Sequence, residues 1–412
     1  MNARVIRPAG RGFLYFDSHP AGCARFVDRA AQEAVALAGP GTDRAPDTDA
    51  PVALIIGSSS GYGLAATLTG LAAHGIRGIA VCHERPARGS RTATAGWYRT
   101  ARTAQVAERV GTGLTFVNAD CFTERTRTEV LDLLERRHGR VDHLVYSVAA
   151  PRRTDPATGR IHESVLKPLG APCLSRAVSF DAEGRPRLTE TVLQAATDAE
   201  RDATVAVMGG ADWQSWVTDV ARRGLAGPRF RTVALSYLGA EPTAAIYRQG
   251  TIGAAKEHLE HTARALNTSV LAGGGGQALV SVNGAAFTQA SVAIPGMALY
   301  LGLLRRELGD AMQSPVRQSH RLWGHLTGTA PLTPDEAGRV RLDDWELRPE
   351  VQAAVMDAWR RVTEPALAEE ADLDWLTSQL EQLHGFGLDG VDYTAPVDPH
   401  VPWPTPAHAD AV

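Results

Sequence analysis

The stretch VALIIGSSSGYGLAATL, residues 52–68, passes from a continuous apolar run through a glycine-rich turn into a helical pattern. Gly57, Gly61 and Gly63 stand in G-x-x-x-G-x-G spacing at the junction. A strand that enters a helix this way brings backbone N–H groups and the positive end of a helix close to a pyrophosphate, and only glycine permits that approach. Glu84, in VCHERP, lies 21 residues beyond Gly63 at the end of the next apolar run. A carboxylate there accepts hydrogen bonds from the adenosine ribose hydroxyls and repels a 2′-phosphate, which favours NADH. Arg85 beside it keeps NADPH as the weaker alternative, because a guanidinium suits a phosphate.

Working outward, further strand-like runs occur at residues 78–82, 114–120, 143–149, 204–210, 232–239 and 277–285, with helical periodicity between most of them. Continuous β-branched runs alternating with helices indicate strands buried on both faces. The expectation is an α/β fold: a doubly wound, Rossmann-type, mostly parallel sheet. Residues 1–50 read as an N-terminal extension with a hairpin and a helix, and 39–51 as a loop into the first core strand. Residues 51–330 read as the catalytic core, and 331–412 as a C-terminal extension packed on it.

Composition narrows the function. A net charge of −4 over 412 residues provides no basic footprint for nucleic acid or anionic lipid, so a small molecule is the expected partner. Cys23, Cys82, Cys121 and Cys173 show no C-x-x-C spacing, which argues against a zinc site or a disulfide scaffold. No stretch approaches the roughly 20 apolar residues of a membrane span, and the start lacks the apolar run of a signal peptide. A soluble cytoplasmic protein is expected. His19 and Cys23 in SHPAGC read as structural, and the carboxylates of DDWE, residues 343–346, as capping and surface groups.

Ligands in such sheets sit beyond the carboxyl ends of the strands. Asp120 and Cys121 end one run, and Val148 and Ala149 end another; the first fits an adenine amino group, the last two the path of ribose and nicotinamide. The segment YRQGTIGAAK, residues 247–256, then separates a tyrosine from a lysine by nine positions. In a continuous helix that separation is about 900° and would set the two on opposite faces. With Gly250 and Thr251 as break and cap, a helix over residues 252–267 carries Lys256 while Tyr247 stays on the preceding loop. A tyrosine displaced in this way suits a longer reacting system, an enoyl thioester that takes hydride at its β-carbon.

Across these residues the sequence resembles the trans-2-enoyl-CoA reductase and FabV-type enoyl-ACP reductase family, of short-chain dehydrogenase ancestry, with its Tyr-x8-Lys motif. RGFLYFDSHPAGC, IGSSSGYGLA, TAGWY, VMGGADW, SYLGAEPTAAIYRQGTIGAAKEHLE, VSVNGAAFTQASVAIP, RLDDWELRPEVQ and GFGLDGVDY carry the resemblance over nearly the whole chain. It implies Tyr247 as proton donor, Lys256 as the lysine on the cofactor ribose and Tyr237 as a substrate-contacting tyrosine. It implies cofactor contacts at Gly57, Ser58, Ser59, Ser60, Gly61, Tyr62, His83, Glu84, Asp120, Cys121, Val148, Ala149, Ala286, Phe287 and Thr288. The chain departs from many members at Gly284-Ala285, where they carry Lys-Ser or Lys-Ala. The implied activity is NADH-dependent reduction of the C2=C3 bond of trans-2-enoyl thioesters on CoA or acyl carrier protein, by a monomer, in fatty acid metabolism, with neither metal nor flavin. The alternative is a carbonyl or alcohol oxidoreductase acting on a specialised-metabolite intermediate.

Overall fold

The computed structural model describes residues 3–11, 14–39, 50–156, 158–181 and 185–404. Most of the loop expected over 39–51 lies outside the described residues. Seven strands form the central sheet: β1 (Val52–Ile56), β2 (Arg77–Cys82), β3 (Leu114–Asn118), β4 (Val141–Tyr146), β5 (Ala226–Ser236), β6 (Gln277–Val282) and β7 (Arg339–Arg341). Their order is β7-β6-β5-β4-β1-β2-β3, and each neighbouring pair runs parallel. The sheet is therefore doubly wound, and the direction of winding reverses between β1 and β4.

Because successive side chains of a strand point to opposite faces, β1 supplies two cores. Leu54 and Ile56 pack with Val130, Leu134, Trp213, Trp216 and Leu259 on one side, whereas Ala53 and Ile55 pack with Ala66, Leu71, Leu322 and Trp323 on the other. The second face is covered by α1 (Pro20–Ala38), α2 (Gly61–His74), α3 (Ala95–Arg109) and the helix Pro315–Thr327, which contact one another. The first face is covered by α4 (Glu124–His138), α6 (Ala211–Arg222) and α7 (Thr251–Thr268), with α5 (Asp198–Met208) packed on α7. Beyond these, α8 (Met297–Leu308) is packed by the helices Pro349–Arg361 and Leu373–Leu383 of the C-terminal segment.

One expected strand is a helix. Residues 204–210 begin in the last turns of α5, whose start carries a capping box: the Thr197 hydroxyl accepts from Glu200 N at 3.2 Å and the Glu200 carboxylate accepts from Thr197 N at 2.9 Å. That cap nucleates a helix which the β-branched Thr204, Val205 and Val207 would not favour by themselves. Between β4 and α5 the chain also forms two antiparallel hairpins, Arg152–Thr154 with Ile161–Glu163 and Cys173–Phe180 with Pro186–Leu193. The sequence reading did not anticipate them.

The start of α7 is fixed from outside. Thr251 N donates to Lys167 O at 3.0 Å and its hydroxyl donates to Val165 O, so the segment before the second hairpin straps the first helical turn. The Tyr247 carbonyl accepts from both Gly250 N at 3.1 Å and Gly253 N at 2.9 Å. A Cβ on Gly253 would stand 2.0 Å from Arg248 O and 2.8 Å from Tyr247 O, both backbone atoms that cannot swing away. Gly253→Ala is therefore expected to lower stability by about 1–3 kcal/mol, as overpacked sites do; urea unfolding of the two proteins measures it.

Candidate active site

The glycine turn stands at the reversal point of the sheet. Gly57 has φ 90°, and a Cβ on it would lie 2.0 Å from Ser147 O, so β1 and β4 approach as closely as their backbones allow. A Cβ on Gly63 would lie 1.9 Å from Gly57 O, which makes glycine necessary there as well. Gly57 N and Ser58 N both donate to Val81 O, at 2.8 and 3.0 Å, pinning the turn to β2. Ser60, the cap residue of α2, makes no side-chain cap bond, which leaves first-turn N–H groups for an anion. These residues fit the pyrophosphate of a dinucleotide.

Around this turn the structure gathers most of the sequence-derived cofactor residues at the carboxyl ends of the strands. Glu84 follows β2; Ser59 Oγ donates to its Oε1 at 2.6 Å and the Thr94 hydroxyl to its Oε2. Asn118 fastens the Glu84 backbone from both sides, at 2.7 and 2.9 Å, and Gly96 leaves room for the carboxylate. His83 and Arg85 are exposed. Asp120 is turned back on its own chain, its Oδ1 accepting from Phe122 N at 3.0 Å. Burial pushes the Cys121 thiol well above its ordinary range, so it is no nucleophile. Val148 and Ala149 follow β4. Ala286, Phe287 and Thr288 follow β6 and are buried, with the Thr288 methyl 3.5 Å from where a Gly61 Cβ would stand. Tyr62 instead reaches across to the Gly284 carbonyl, to which its hydroxyl donates.

Tyr247 lies in the turn before α7, outside the helix that carries Lys256, as the spacing requires. It is 5% exposed, its ring meets Tyr237 edge-on with centroids 5.0 Å apart, and its hydroxyl has no hydrogen-bond partner among the described residues. Gly239, at φ 80°, makes space for that ring: a Cβ would stand 3.0 Å from its Cδ1. Lys256 Nζ lies 3.5 Å from Leu235 O near the end of β5, and burial lowers its pKa to about 8. Burial pushes both phenols, Tyr247 and Tyr237, above their ordinary value, so each is a neutral hydroxyl at physiological pH.

DDWE overturns its sequence reading at two of three carboxylates. Asp344 does face solvent, paired with Arg321 at 2.7 and 2.8 Å. Asp343 is 1% exposed and held bidentately by Arg341, and Glu346 is 0% exposed. Glu346 Oε1 accepts from the Tyr237 hydroxyl at 2.8 Å and the Tyr300 hydroxyl at 2.7 Å, while Oε2 accepts from Ala285 N. The signal was available: the motif directly follows β7, so the rule that strand ends carry the site applies to it as well. Among the described residues no group of three or more His, Cys, Asp or Glu is placed to hold a metal, and no helix is long and apolar enough to cross a membrane.

Three family models cover the chain: the NAD(P)H-binding domain of trans-2-enoyl-CoA reductase on residues 5–89, its catalytic region on 91–326, and an enoyl reductase FAD-binding domain on 334–397. The last segment does not fit a flavin. Its buried Asp343 and Glu346 are occupied by Arg341, Tyr237, Tyr300 and Ala285, and Gly385 abuts the backbone of His19 and Cys23 rather than opening a cradle. An enoyl-[acyl-carrier-protein] reductase [NADH] of Streptomyces avermitilis is 52% identical over 399 residues, 97% of this chain and 100% of that protein. The Treponema denticola trans-2-enoyl-CoA reductase in complex with NAD superposes with a TM-score of 0.87 at 33% identity, over 96% of this chain and 98% of that one. The Clostridium acetobutulicum enzyme in complex with NADH does so with a TM-score of 0.89 at 31% identity, over 96% and 98%. With the sheet, the glycine turn and the displaced tyrosine all in place, the chain belongs to the trans-2-enoyl-CoA reductase family.

Proposed function

We propose that this protein reduces the C2=C3 bond of trans-2-enoyl thioesters, carried on CoA or on acyl carrier protein, with NADH as the cofactor. The observation that carries this reading is Tyr247, 5% exposed and edge-on to Tyr237, at the same strand ends as Lys256 and the glycine turn. NADH, when bound, supplies a hydride to C3 of the acyl chain.

The protein's own groups then manage charge and protons. Tyr247, joined by Tyr237 when its hydrogen is not held by Glu346, donates to the thioester oxygen as it becomes an enolate oxygen, and such fixed donors are worth more in a dry site than in water. Tyr247, a neutral phenol, supplies a proton during collapse to the saturated product. Lys256 keeps an ammonium near the nicotinamide ribose and favours the charged side of that exchange. Glu84, held by Ser59 and Thr94, presents its carboxylate to the adenosine ribose. In this reading residues 51–330 are the catalytic core, and the extensions at 1–50 and 331–412 complete it.

The deciding experiment compares NADH oxidation with crotonyl-CoA and with acetoacetyl-CoA. Consumption with the first supports enoyl reduction; consumption with the second alone gives the carbonyl reductase alternative. Glu84→Ala is expected to narrow the preference for NADH over NADPH, read from the two kcat/KM values, because the like-charge repulsion of a 2′-phosphate is removed. Tyr247→Phe should leave NADH affinity nearly unchanged and lower kcat about 100-fold or more. Lys256→Ala should weaken NADH binding and turnover together. A lysine needed in its charged form loses function as pH rises past its pKa, so native turnover should fall above pH about 8.

A further inference from the structure

We propose that Glu346 is a positioning residue whose protonation decides whether Tyr237 offers the thioester oxygen a hydrogen-bond donor or only lone pairs. The inference rests on the enoyl reductase reading and adds to it a group that touches neither substrate nor cofactor.

A tyrosine hydroxyl has a single hydrogen, and here the Tyr237 hydrogen is directed at Glu346 Oε1, 2.8 Å away. An ionised carboxylate only accepts, so with Glu346 charged Tyr237 has no proton left for the acyl oxygen. Protonation of the carboxyl reverses this. Oε2 is the carbonyl oxygen of the acid, because it already accepts from Ala285 N. The added hydrogen therefore sits on Oε1, between the Tyr237 and Tyr300 oxygens. Gln352 Nε2 donates to the Tyr300 oxygen at 3.1 Å and to Glu346 O at 2.9 Å, which leaves the Tyr300 hydrogen for Oε1. The carboxyl hydrogen then goes to Tyr237, whose own hydrogen is released toward the substrate.

The surroundings favour a carboxyl that changes state near neutrality. Glu346 faces Tyr237 beyond β5, Tyr300 on α8, Tyr62 on α2 and Tyr247 before α7, all neutral phenols. Asp343, on its own loop, is the charge that opposes its ionisation and is itself tied to Arg341. Burial, the largest effect, raises Glu346 to about 7.

The test is kcat against pH with NADH and crotonyl-CoA. A donor present only below the carboxyl's pKa gives the native enzyme about a tenfold fall between pH 6 and pH 8, separate from the decline that Lys256 imposes above about 8. In Glu346→Gln the amide oxygen takes Ala285 N and the amide N–H donates to Tyr237, so the donor form is permanent and the lower limb should vanish. Tyr300→Phe removes one hydrogen bond from the carboxylate, raises its pKa and should move the same limb to higher pH; it serves if the first variant does not fold. A native profile without the lower limb, or a limb that neither variant alters, overturns the inference while the enzyme still turns over. No NADH consumption by the native protein with any enoyl thioester at any pH overturns the reduction reading, and this inference with it.

Discussion

At the fork of the sheet, Gly57 follows β1 so closely beside Ser147 that a methyl group would stand 2.0 Å from the Ser147 carbonyl oxygen. That approach sets the crevice. With every strand pair parallel, the carboxyl ends of β1 through β7 open on one edge, and side chains far apart in sequence meet there. Glu84, Asp120, Val148, Tyr237, Thr288 and Glu346 each follow a different strand of this set. A bulkier residue at position 57 would separate β1 from β4, and the turn that Val81 fastens would lose its geometry.

The second requirement is dryness. Tyr237, Tyr247, Tyr300 and Glu346 share a region from which water is largely excluded, and each polar group there must find a partner or cost free energy. Tyr237, Tyr300 and the Ala285 amide meet that demand by converging on one carboxyl group; hydrogen bonds to a charged acceptor contribute about 1.5–3 kcal/mol each. Tyr247 stands apart: its ring is buried against Tyr237, and its hydroxyl does not join that carboxyl group. The same burial that keeps both phenols neutral lowers Lys256 to about 8 and raises Glu346 to about 7.

Much of this was legible in the sequence, for physical reasons. Buried parallel strands are continuous apolar runs, so β1 to β4 and β6 could be read to within a few residues, whereas β5 starts at Ala226, six residues before the run read at 232–239, and the glycine spacing located the crevice. The phase argument on Tyr247 and Lys256 required a break before the helix, and α7 begins at Thr251. What failed did so where tertiary partners override local pattern. Residues 204–210 look like a strand until the capping box at Thr197 and Glu200 is weighed. The two hairpins between β4 and α5 are half-exposed and carry no clean alternation. Glu346 sits among charged neighbours in DDWE, and nothing in a run of carboxylates tells which one turns inward; its burial comes from β7 joining the sheet edge beside β6.

Gly284 lies at the same edge. A Cβ there would stand 2.5 Å from the Trp345 ring, so the indole occupies the space that a larger side chain would need. Gly284 is fastened on both sides, its N–H donating to Gln318 Oε1 at 2.8 Å and its carbonyl accepting from Tyr62. Trp345 immediately precedes Glu346, and Ala285, which caps the Glu346 carboxylate, immediately follows Gly284. Any Cβ at position 284 would require the indole to shift. Glycine at 284 thus leaves the Trp345 indole its place beside the Ala285 to Glu346 contact.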